Sequence, residues 1–454
     1  MSQTIPRLVI AATQSSSGKT TITCGILAAL RKRGFVPQAY KIGPDYIDPG
    51  YHAQASGRPA HNLDTWLMDE SAMTRVFVST AAGADLAVIE GVMGLYDGGR
   101  GGVSSTATIS KVLGAPVVLV IDCRSMGDSA AAVALGFREY DTSVDLRGVI
   151  LNRLGSDSHR RLITEAMDRI GIPVLGAIRR DPRLNVTERH LGLITVEENR
   201  EHALDPLVEN VETSVDLDAL LAIARSAPQI PVQSRPTAQS QVRATIAVAR
   251  DAAFSFYYPE SLAELQHAGA QIVTFSPLDD AKIPDCDGLI FGGGFPESFA
   301  AHLSSNVTMK GSIASAAADG MPIYAECGGY MYLTRQLTDF DGKSYPMVGL
   351  VPASCTMTQK LQTVGYVEAT LLRNTVLGRT GTTVRGHEFH FSTDETDAPD
   401  SAAWQIVKKR TGASRPAGYA TKNIVASYLH LHFAGFPDLA RSFVDACAAY
   451  HSKR

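Results

Sequence analysis

The stretch LVIAATQSSSGKTT, residues 8–21, decides the fold of the first part of the chain. The apolar run 8–12 predicts a buried strand, and the small residues 15–18 predict a tight turn. Lys19 then opens a segment with apolar residues at helical spacing. This order is typical of a phosphate-binding loop, because backbone N–H groups of the loop and the helix N-terminus point at phosphate oxygens.

In such a loop the lysine spans the β- and γ-phosphates and the following hydroxyl reaches a Mg²⁺ ion. The usual pattern GxxxxGK[ST] has glycine where this chain has Thr13, and related loops often have a second glycine in place of Ser16. A serine-rich turn with a capping hydroxyl is the alternative for the loop taken alone. The residues predicted to bind ATP are Ser15, Ser16, Ser17, Gly18, Lys19, Thr20, Thr21 and Asn152.

The composition is that of a soluble globular protein of two to three domains, with 454 residues, 45% hydrophobic and 19% charged. The net charge of −4 gives no basic face, so we expect neither nucleic acid nor a membrane as partner. No signal peptide or membrane-length apolar run is present, which predicts a cytoplasmic protein. The six cysteines have no C-x-x-C spacing, which argues against a structural zinc site or a disulfide framework.

Residues 1–226 alternate apolar strand candidates with helical periods, which predicts an α/β domain with a mostly parallel sheet and flanking helices. Ligands bind such sheets at the carboxyl ends of the strands. Strands are predicted at 8–12, 36–42, 85–89, 116–122, 146–152 and 173–178. Helices are predicted at about 19–33, 69–82, 105–113, 126–139 and 157–170.

Carboxylates follow two of these strands. The second strand ends in KIGPDYIDPGYH, residues 41–52, where two prolines predict a loop that carries Asp45 and Asp48. A later strand ends in VIEGVMGLYDGG, with Glu90 at its tip and Asp97 in the loop beyond. Oxygen ligands beside a phosphate loop suit a magnesium–nucleotide complex, although each carboxylate alone would equally suit a turn or a helix cap. The predicted metal-binding residues are Thr20, Asp45 and Glu90.

Other polar residues follow in loops that could line a pocket for an acidic substrate. Asn152, at the end of the strand RGVILNR, would read the base edge of the nucleotide or cap a turn. Lys41 would be a second phosphate contact or a solvated charge. The remaining pocket candidates are Tyr46, His52, Asn62, Asp64, Trp66, Arg183, Arg189 and His190.

Residues 227–242, APQIPVQSRPTAQSQV, predict an extended linker, and a second α/β domain follows at 243–454. Within it, MPIYAECGGYMYL reads as strand, sharp turn and helix with Cys327 at the corner. A strained strand-to-helix turn exposes a nucleophile and lets the next N–H join an oxyanion hole. The predicted oxyanion donors are Gly328 and, from the upstream GGGFPE segment, Gly293 and Gly294.

A thiolate needs a base, and IVASYLHLHF supplies His430 and His432 after another strand. Alternate positions of a strand end point to one face, so the sequence leaves open which histidine pairs with Cys327. The stretch VRGHEFHFS contains His387, Glu388 and His390, for which a zinc site is an alternative.

Together these motifs resemble the cobyrinate a,c-diamide synthase family, which includes the hydrogenobyrinate enzymes. The resemblance covers nearly the whole chain. It is carried by SSSGKTT, KIGPDYIDPGYH, HNLDTWLM, EGVMGLYDG, GGGFPES, AECGGYMYL, GHEFHFS and SYLHLHF, in this order.

The resemblance implies a dethiobiotin-synthetase-like amidoligase domain followed by a triad-type glutamine amidotransferase domain. It implies that Asp48 and Asp97 are loop carboxylates required for activity, that Cys327 is the nucleophile and that His430 is its base; the third triad member stays unassigned. ATP, Mg²⁺, L-glutamine and a corrin-type tetrapyrrole are the implied small molecules. The sequence leaves open whether the macrocycle bears cobalt, nickel or no metal, and whether the protein is a homodimer.

Alternatives to this function are a nickel-sirohydrochlorin a,c-diamide synthase, a cobyric acid synthase and a nucleotide-switch ATPase of the ParA/MinD kind. The nickel enzyme shares nearly every motif, whereas cobyric acid synthases normally have longer chains. The ATPase would explain residues 1–226 but would leave AECGGY and GGGFPE without a role.

Overall fold

The computed structural model of this protein describes residues 2–181, 188–189, 192–193, 204–231 and 241–453. The chain divides into two compact units between residues 234 and 235, and Trp66–Met68 groups with the second unit. The predicted linker 227–242 spans this division. Of the linker, residues 232–240 lie outside the described residues.

The first unit is built on a seven-stranded sheet. The strands described in this unit, including two short pairs outside the large sheet (β1 with β11 and β9 with β10), are β1 Ser2–Gln3, β2 Arg7–Ala12, β3 Pro37–Ile42, β4 His61–Leu63, β5 Leu86–Glu90, β6 Val117–Asp122, β7 Leu146–Leu154, β8 Val174–Arg179, β9 Glu188–Arg189, β10 Gly192–Leu193 and β11 Ile230–Pro231. The large sheet has the order β4-β3-β5-β2-β6-β7-β8, and all its neighbouring strands are parallel. Side chains on both faces of the central strands are buried, which explains why these strands read as continuous apolar runs.

Helices pack beside this sheet, as the alternating pattern predicted. They are α1 Lys19–Lys32, α2 Asp48–Ser56, α3 Glu70–Thr80, α4 Thr106–Leu113, α5 Ser129–Tyr140, α6 Asp157–Arg169, α7 Asp205–Ser214 and α8 Leu217–Arg225. Apolar residues of α1, α7 and α8 share one core cluster with strand residues of the sheet.

The prediction that residues 41–52 carry Asp48 in a loop is wrong, because α2 begins at Asp48. The sequence predicts Pro49 in a turn, but it stands in the first turn of α2. Proline fits there because its missing N–H would have no acceptor within the helix. Asp48 therefore belongs to a helix start and not to an extended loop.

The second unit combines a six-stranded sheet with two smaller ones. Its strands are β12 Ala244–Ala249, β13 Ala270–Phe275, β14 Gly288–Phe291, β15 Ile323–Glu326, β16 Thr334–Thr338, β17 Ser344–Pro346, β18 Val351–Met357, β19 Thr363–Leu371, β20 Thr383–His390, β21 Ser392–Thr396, β22 Trp404–Lys408, β23 Ser414–Ala417, β24 Tyr419–Ala420 and β25 Ile424–Ser427. The main sheet has the order β13-β12-β14-β15-β25-β24 and is parallel except for β24. The four-stranded sheets, β17-β16-β18-β21 and β20-β19-β22-β23, were not predicted from the sequence.

The helices of the second unit are α9 Pro259–His267, α10 Ala300–Ser305, α11 Val307–Ala318, α12 Gly328–Leu333 and α13 Pro437–His451. Two apolar cores result, one containing Phe254, Phe291 and Tyr332, the other containing Trp404 and Phe443. No helix in the described ranges has the length and apolar character needed to cross a membrane.

Candidate functional site

The loop between β2 and α1 has the backbone of a ligand-binding turn. Ser16 and Gly18 both have left-handed backbone, with φ of 58° and 91°. The Ser17 hydroxyl donates to the Gln14 carbonyl (2.9 Å). Because the first N–H groups of α1 have no acceptor inside the helix, the loop and the helix start together offer donors for an anion.

Two neighbouring side chains of strand β7 donate hydrogen bonds to backbone carbonyls of this loop. Asn152 Nδ2 donates to the Ser17 carbonyl (2.8 Å). Arg153 Nη1 donates to the Ser16 carbonyl (2.7 Å). A Cβ atom on Gly18 would lie 2.4 Å from Asn152 Nδ2, so only glycine fits. Asn152 thus holds the loop in position, and its contact with a nucleotide base stays a prediction.

A cavity of about 380 Å³ opens beside the loop. Its volume lies within the range of roughly 300–1,000 Å³ found for small-molecule sites. It is close to the carboxyl ends of β7 and β8, where parallel sheets place ligands. Residues that line it include Gly18, Thr21, Arg124, Asn152, Arg179 and Asn210.

Lys19 is the first residue of α1, and its side chain is buried. Its Nζ donates to the Met93 carbonyl (2.6 Å). Burial and the charge of Lys41 lower the pKa of Lys19 to about 8, although Glu90, Asp48 and Asp97 oppose this shift. An anionic phosphate would replace the carbonyl as a stronger partner for this ammonium group.

A buried cluster of charged side chains lies beneath the loop. Thr20 Oγ1 is 2.8 Å from Glu90 Oε1 and 3.1 Å from Asp48 Oδ2. Lys41 Nζ donates to Glu90 Oε1 (2.7 Å) and also to Asp48. His52 Nε2 lies 2.6 Å from Glu90 Oε2. The strand ends of β3 and β5, which are neighbours in the sheet, bring these groups together.

The cluster shifts the pKa values of its members. Burial alone would raise the pKa of Glu90, but Lys41 and His52 hold it well below its usual range. Burial would lower the pKa of Lys41, but Asp48 and Glu90 raise it. Burial and the charge of Asp45 raise the pKa of Asp48 to about 7, against the opposing charge of Lys41. Buried ionisable groups with shifted pKa values beside a phosphate loop are typical of a functional site.

Asp45 and Asp97 have local backbone partners. Asp45 Oδ1 accepts from the N–H groups of Ile47 (2.9 Å) and Asp48 (3.0 Å) at the start of α2. Its Oδ2 is 3.8 Å from Lys41 Nζ. Asp97 Oδ2 accepts from the Gly94 N–H (3.0 Å). Asp48, and not Asp45, therefore contacts Thr20, and the metal-binding role of Asp45 stays a prediction.

Three other residues predicted to line a substrate pocket, Asn62, Asp64 and Trp66, form hydrogen bonds within the protein. Asn62 Nδ2 donates to the carbonyls of Gly43 (2.9 Å) and Asp45 (2.7 Å), which holds the turn after β3. Asp64 accepts from the Ser104 hydroxyl (2.8 Å). Trp66 belongs to the second unit, where its indole N–H donates to the Gly386 carbonyl (3.2 Å). The predicted candidates Arg183 and His190 lie outside the described residues, as does the side chain of Arg189.

In the second unit, Cys327 stands between β15 and α12 with φ of 46° and ψ of −105°. Such a backbone is strained for a residue with a side chain, and this strain is typical of a nucleophile elbow. Cys327 is 8% exposed, and its N–H donates to the Ser427 carbonyl (2.8 Å). The sharp turn predicted from AECGGY is therefore present.

The predicted oxyanion glycines lie close to this turn. A Cβ on Gly328 would be 3.0 Å from the Gly294 nitrogen, and one on Gly293 would be 2.8 Å from His430 Cε1. Gly328 is also the first residue of α12, whose early N–H groups have no acceptor within the helix. The glycines allow two backbone segments to approach each other beside Cys327, and their role as donors stays a prediction.

His430 and His432 face different groups. His430 interacts with Cys327, and its Nδ1 is 3.3 Å from Glu326 Oε2. His432 Nε2 is 3.7 Å from Glu260 Oε2. Regular pairing in β25 ends at Ser427, so the alternation of a strand does not apply to these two residues. Their different partners identify His430 as the histidine beside Cys327.

The environment of His430 favours its charged form. Burial alone would lower the pKa of His430, but Cys327 and Glu326 raise it to about 10. A protonated imidazole beside a thiol stabilises the thiolate, which is the nucleophilic form. Glu326 was missed in the sequence, because the residue before a nucleophile ordinarily points to the opposite face of its strand.

The GHEFHFS stretch forms the end of β20 and the residues after it. His387 exchanges backbone hydrogen bonds with His430 (3.1 and 2.9 Å), Glu388 accepts from Arg415 (2.7 Å), and His390 stacks on Tyr428. Burial lowers the pKa of His387 to about 3 and that of His390 to about 4. Within the described residues no three His, Cys, Asp or Glu side chains are grouped so that they could hold a metal ion.

Comparison with known proteins covers both units. Residues 8–193 match the family described as CobQ/CobB/MinD/ParA nucleotide binding domain. Residues 245–437 match the CobB/CobQ-like glutamine amidotransferase domain.

Two relatives are similar over nearly their full lengths. A cobyrinate a,c-diamide synthase of Dehalococcoides mccartyi (strain CBDB1) is 44% identical, with 97% of each chain covered. A hydrogenobyrinate a,c-diamide synthase of Streptomyces coelicolor is 42% identical, with 98% of each chain covered. This chain therefore belongs to the cobyrinate/hydrogenobyrinate a,c-diamide synthase family of glutamine-dependent ligases, as its motifs predicted.

Proposed function

We propose that this chain catalyses the ATP- and glutamine-dependent amidation of the a and c acetate carboxylates of cobyrinate or hydrogenobyrinate, giving the a,c-diamide. The observation that carries the proposal is the 44% identity to a cobyrinate a,c-diamide synthase over 97% of this chain. That similarity extends over both units. Each unit also holds side chains suited to one half of the reaction.

The first half-reaction activates a carboxylate, because a carboxylate does not react with ammonia at neutral pH. The substrate carboxylate attacks the γ-phosphorus of ATP, the bond to the bridging oxygen breaks, and an acyl phosphate and ADP form. Lys19 and the loop N–H groups offset the negative charge that develops on the phosphoryl oxygens. The cavity beside Gly18, Thr21 and Asn152 would hold the nucleotide.

The oxygen atoms beneath the loop fit a magnesium ion. Thr20 Oγ1 lies 2.8 Å from Glu90 Oε1 and 3.1 Å from Asp48 Oδ2, and such hard oxygen donors are those that Mg²⁺ prefers. Thr20 and Glu90 would hold the ion together with Asp48 or Asp45. When bound with ATP, Mg²⁺ supplies positive charge to the β- and γ-phosphates.

The second half-reaction releases ammonia from glutamine. The Cys327 thiolate attacks the side-chain amide carbon, and His430 donates a proton to the departing nitrogen, leaving a thioester. Water then hydrolyses the thioester to glutamate and restores the thiol. The backbone N–H of Gly328 is suited to stabilise the oxyanion, with Gly293 and Gly294 nearby. Ammonia displaces phosphate from the acyl phosphate and yields the amide.

Product analysis tests the substrate. Candidate tetrapyrroles incubated with ATP, Mg²⁺ and glutamine would be analysed by mass spectrometry for conversion of two carboxylates to amides. We expect cobyrinate or hydrogenobyrinate to gain two amides. Amidation of nickel-sirohydrochlorin alone would contradict the proposed substrate, and ATPase activity without glutaminase activity would favour the nucleotide-switch alternative.

Substitution of the nucleophile tests the two-site mechanism. We expect Cys327→Ala to abolish glutamine-dependent amidation and to spare ammonia-dependent amidation, because only ammonia release requires the thiol. Cys286→Ala is the matched control, since Cys286 is buried in the same unit beside Met321 and should leave both activities intact. Equal loss of both activities in Cys327→Ala would contradict the mechanism.

A further inference from the structure

Glu326 is the last residue of β15 and directly precedes Cys327. Its Oε2 lies 3.3 Å from His430 Nδ1, and its Oε1 accepts from the Leu431 N–H (3.0 Å) and from the Tyr324 hydroxyl. We propose that Glu326 is the positioning carboxylate of the glutaminase site, acting on Cys327 through His430. This inference rests on the proposed function of the second unit.

The parallel pairing of β15 with β25 explains how this carboxylate reaches His430. Glu326 is opposite Ser427 in the sheet, and His430 follows three residues later. Carboxyl ends of neighbouring parallel strands meet at one edge, so the end of β15 lies beside the chain that carries the histidine. The turn at Cys327 then brings the thiol to the same imidazole.

A carboxylate on Nδ1 would have two effects on the histidine. It selects the tautomer with a proton on Nδ1, which leaves Nε2 for the thiol, and it stabilises the imidazolium that forms when the thiol loses its proton. The raised pKa of His430 agrees with this arrangement. Tyr324 and the Leu431 N–H hold the other carboxylate oxygen, so the orientation of Glu326 is itself constrained.

A purely structural role is the competing explanation, because the bond from the Leu431 N–H also supports the backbone after β25. Glu326→Gln separates the two roles, since glutamine has nearly the same volume and can still accept from Leu431 while it lacks the negative charge. Glu260→Gln is the matched control. Glu260 is also buried beside a histidine, His432, in the same unit.

Glutaminase kinetics test the proposal. We expect Glu326→Gln to lower glutaminase kcat by about 10²–10⁴-fold, a range bounded by the effect of removing the corresponding carboxylate of a serine protease triad. The KM for glutamine and ammonia-dependent amidation should change less than about threefold, which excludes global misfolding. Glu326→Asp should recover part of kcat, and Glu260→Gln should stay within about threefold of the unmodified protein.

The pH profile gives a readout that a structural role would not move. Because Glu326 raises the pKa of His430, the alkaline limb of the glutaminase profile should shift to lower pH in Glu326→Gln. The proposal would be overturned if Glu326→Gln had a glutaminase kcat like that of Glu260→Gln. It would also be overturned if kcat fell but the alkaline limb of the pH profile did not shift. Full glutaminase activity in Cys327→Ala would instead overturn the proposed function itself, so the two failures are distinguishable.

Discussion

Ser16 and Thr13 both stand where phosphate-binding loops commonly have glycine, but their backbones differ. The Thr13 N–H donates to the Val120 carbonyl (3.2 Å), which continues the pairing of β2 with β6. Ser16 has φ of 58°, a conformation that costs a residue with a side chain roughly 1–2 kcal/mol. At the residue scale, the departure at position 13 adds no such strain, whereas the departure at position 16 does.

This difference predicts the response of the loop to substitution. Ser16→Gly should keep ammonia-dependent amidation within about twofold, because the relieved strain offsets the roughly 0.5–1 kcal/mol that glycine loses in conformational entropy. Ser16→Val should raise the KM for ATP at least about tenfold, since a β-branched residue is a genuine outlier at positive φ. Ser15→Val is the comparison within the same loop, because Ser15 does not have a positive φ, and equal effects of the two valines would contradict this account.

The lowered pKa of Lys19 predicts that ATP binding depends on pH. Its pKa is lowered to about 8, so the free protein loses the ammonium proton as the pH rises through that value. ATP binds the charged form, and binding above about pH 8 then requires proton uptake. The affinity for ATP should therefore fall as the pH rises from about 8 to about 9.5, by up to about tenfold per pH unit.

Equilibrium ATP binding at constant Mg²⁺ checks this dependence. Lys19→Arg should flatten the curve, because a guanidinium stays charged over this range. Calorimetry in two buffers of different ionisation enthalpy measures the proton uptake directly. An ATP affinity that stays constant through pH 8 in the unmodified protein would rule out a titrating Lys19.

At the element scale, α12 follows β15 without an intervening loop, and this junction depends on glycine. A Cβ on Gly329 would lie 2.4 Å from the Phe291 carbonyl oxygen, and the Gly329 N–H donates to the Gly292 carbonyl (2.9 Å). The first residues of α12 thus pack directly against the end of β14. This packing holds Cys327 in its strained turn.

Two glycine substitutions test that packing. Gly329→Ala should lower the free energy of unfolding by roughly 1–3 kcal/mol, as overpacking does, and should reduce glutaminase activity. Gly311→Ala, in the exposed middle of α11 with nothing near its Cβ position, should instead add about 1 kcal/mol through helix propensity. Denaturant unfolding measures both changes. Stabilisation by both substitutions would contradict the close approach at Gly329.

At the scale of the whole molecule, the proposed function assigns one half-reaction to each unit, so the two activities should be separable. Glu90→Gln removes a carboxylate that accepts from Lys41 and lies beside Thr20. We expect it to abolish amidation with either glutamine or ammonia, while glutaminase activity remains. Asp45→Asn is expected to do the same through the metal site.

Glu139→Gln is the control for these variants, because Glu139 is an exposed carboxylate of the same unit. It should keep amidation within about twofold, in line with the small effect of most surface substitutions. Retention of ammonia-dependent amidation in Glu90→Gln or Asp45→Asn would remove that residue from the metal site. Loss of glutaminase activity together with amidation would contradict the separation of the two chemistries.

Much of the fold could be predicted because its central strands are buried on both faces. Strands such as β2 and β6 appear in the sequence as short apolar runs between helical periods. The small sheets of the second unit could not be predicted in this way. Their strands, such as β19, alternate between buried and partly exposed residues, and some of their pairings, such as β18 with β21 and β19 with β22, join strands that are not consecutive in the chain.

The sequence by itself determined the loop before α1, the sharp turn at Cys327 and the family, because each depends on consecutive residues whose spacing is directly visible. Only the tertiary structure decided which side chains meet: Asp48 with Thr20 and Glu90, and Glu326 with His430. These contacts arise where neighbouring parallel strands end at the same edge of a sheet. Strand order and register set that proximity, and neither can be predicted from a local stretch of residues.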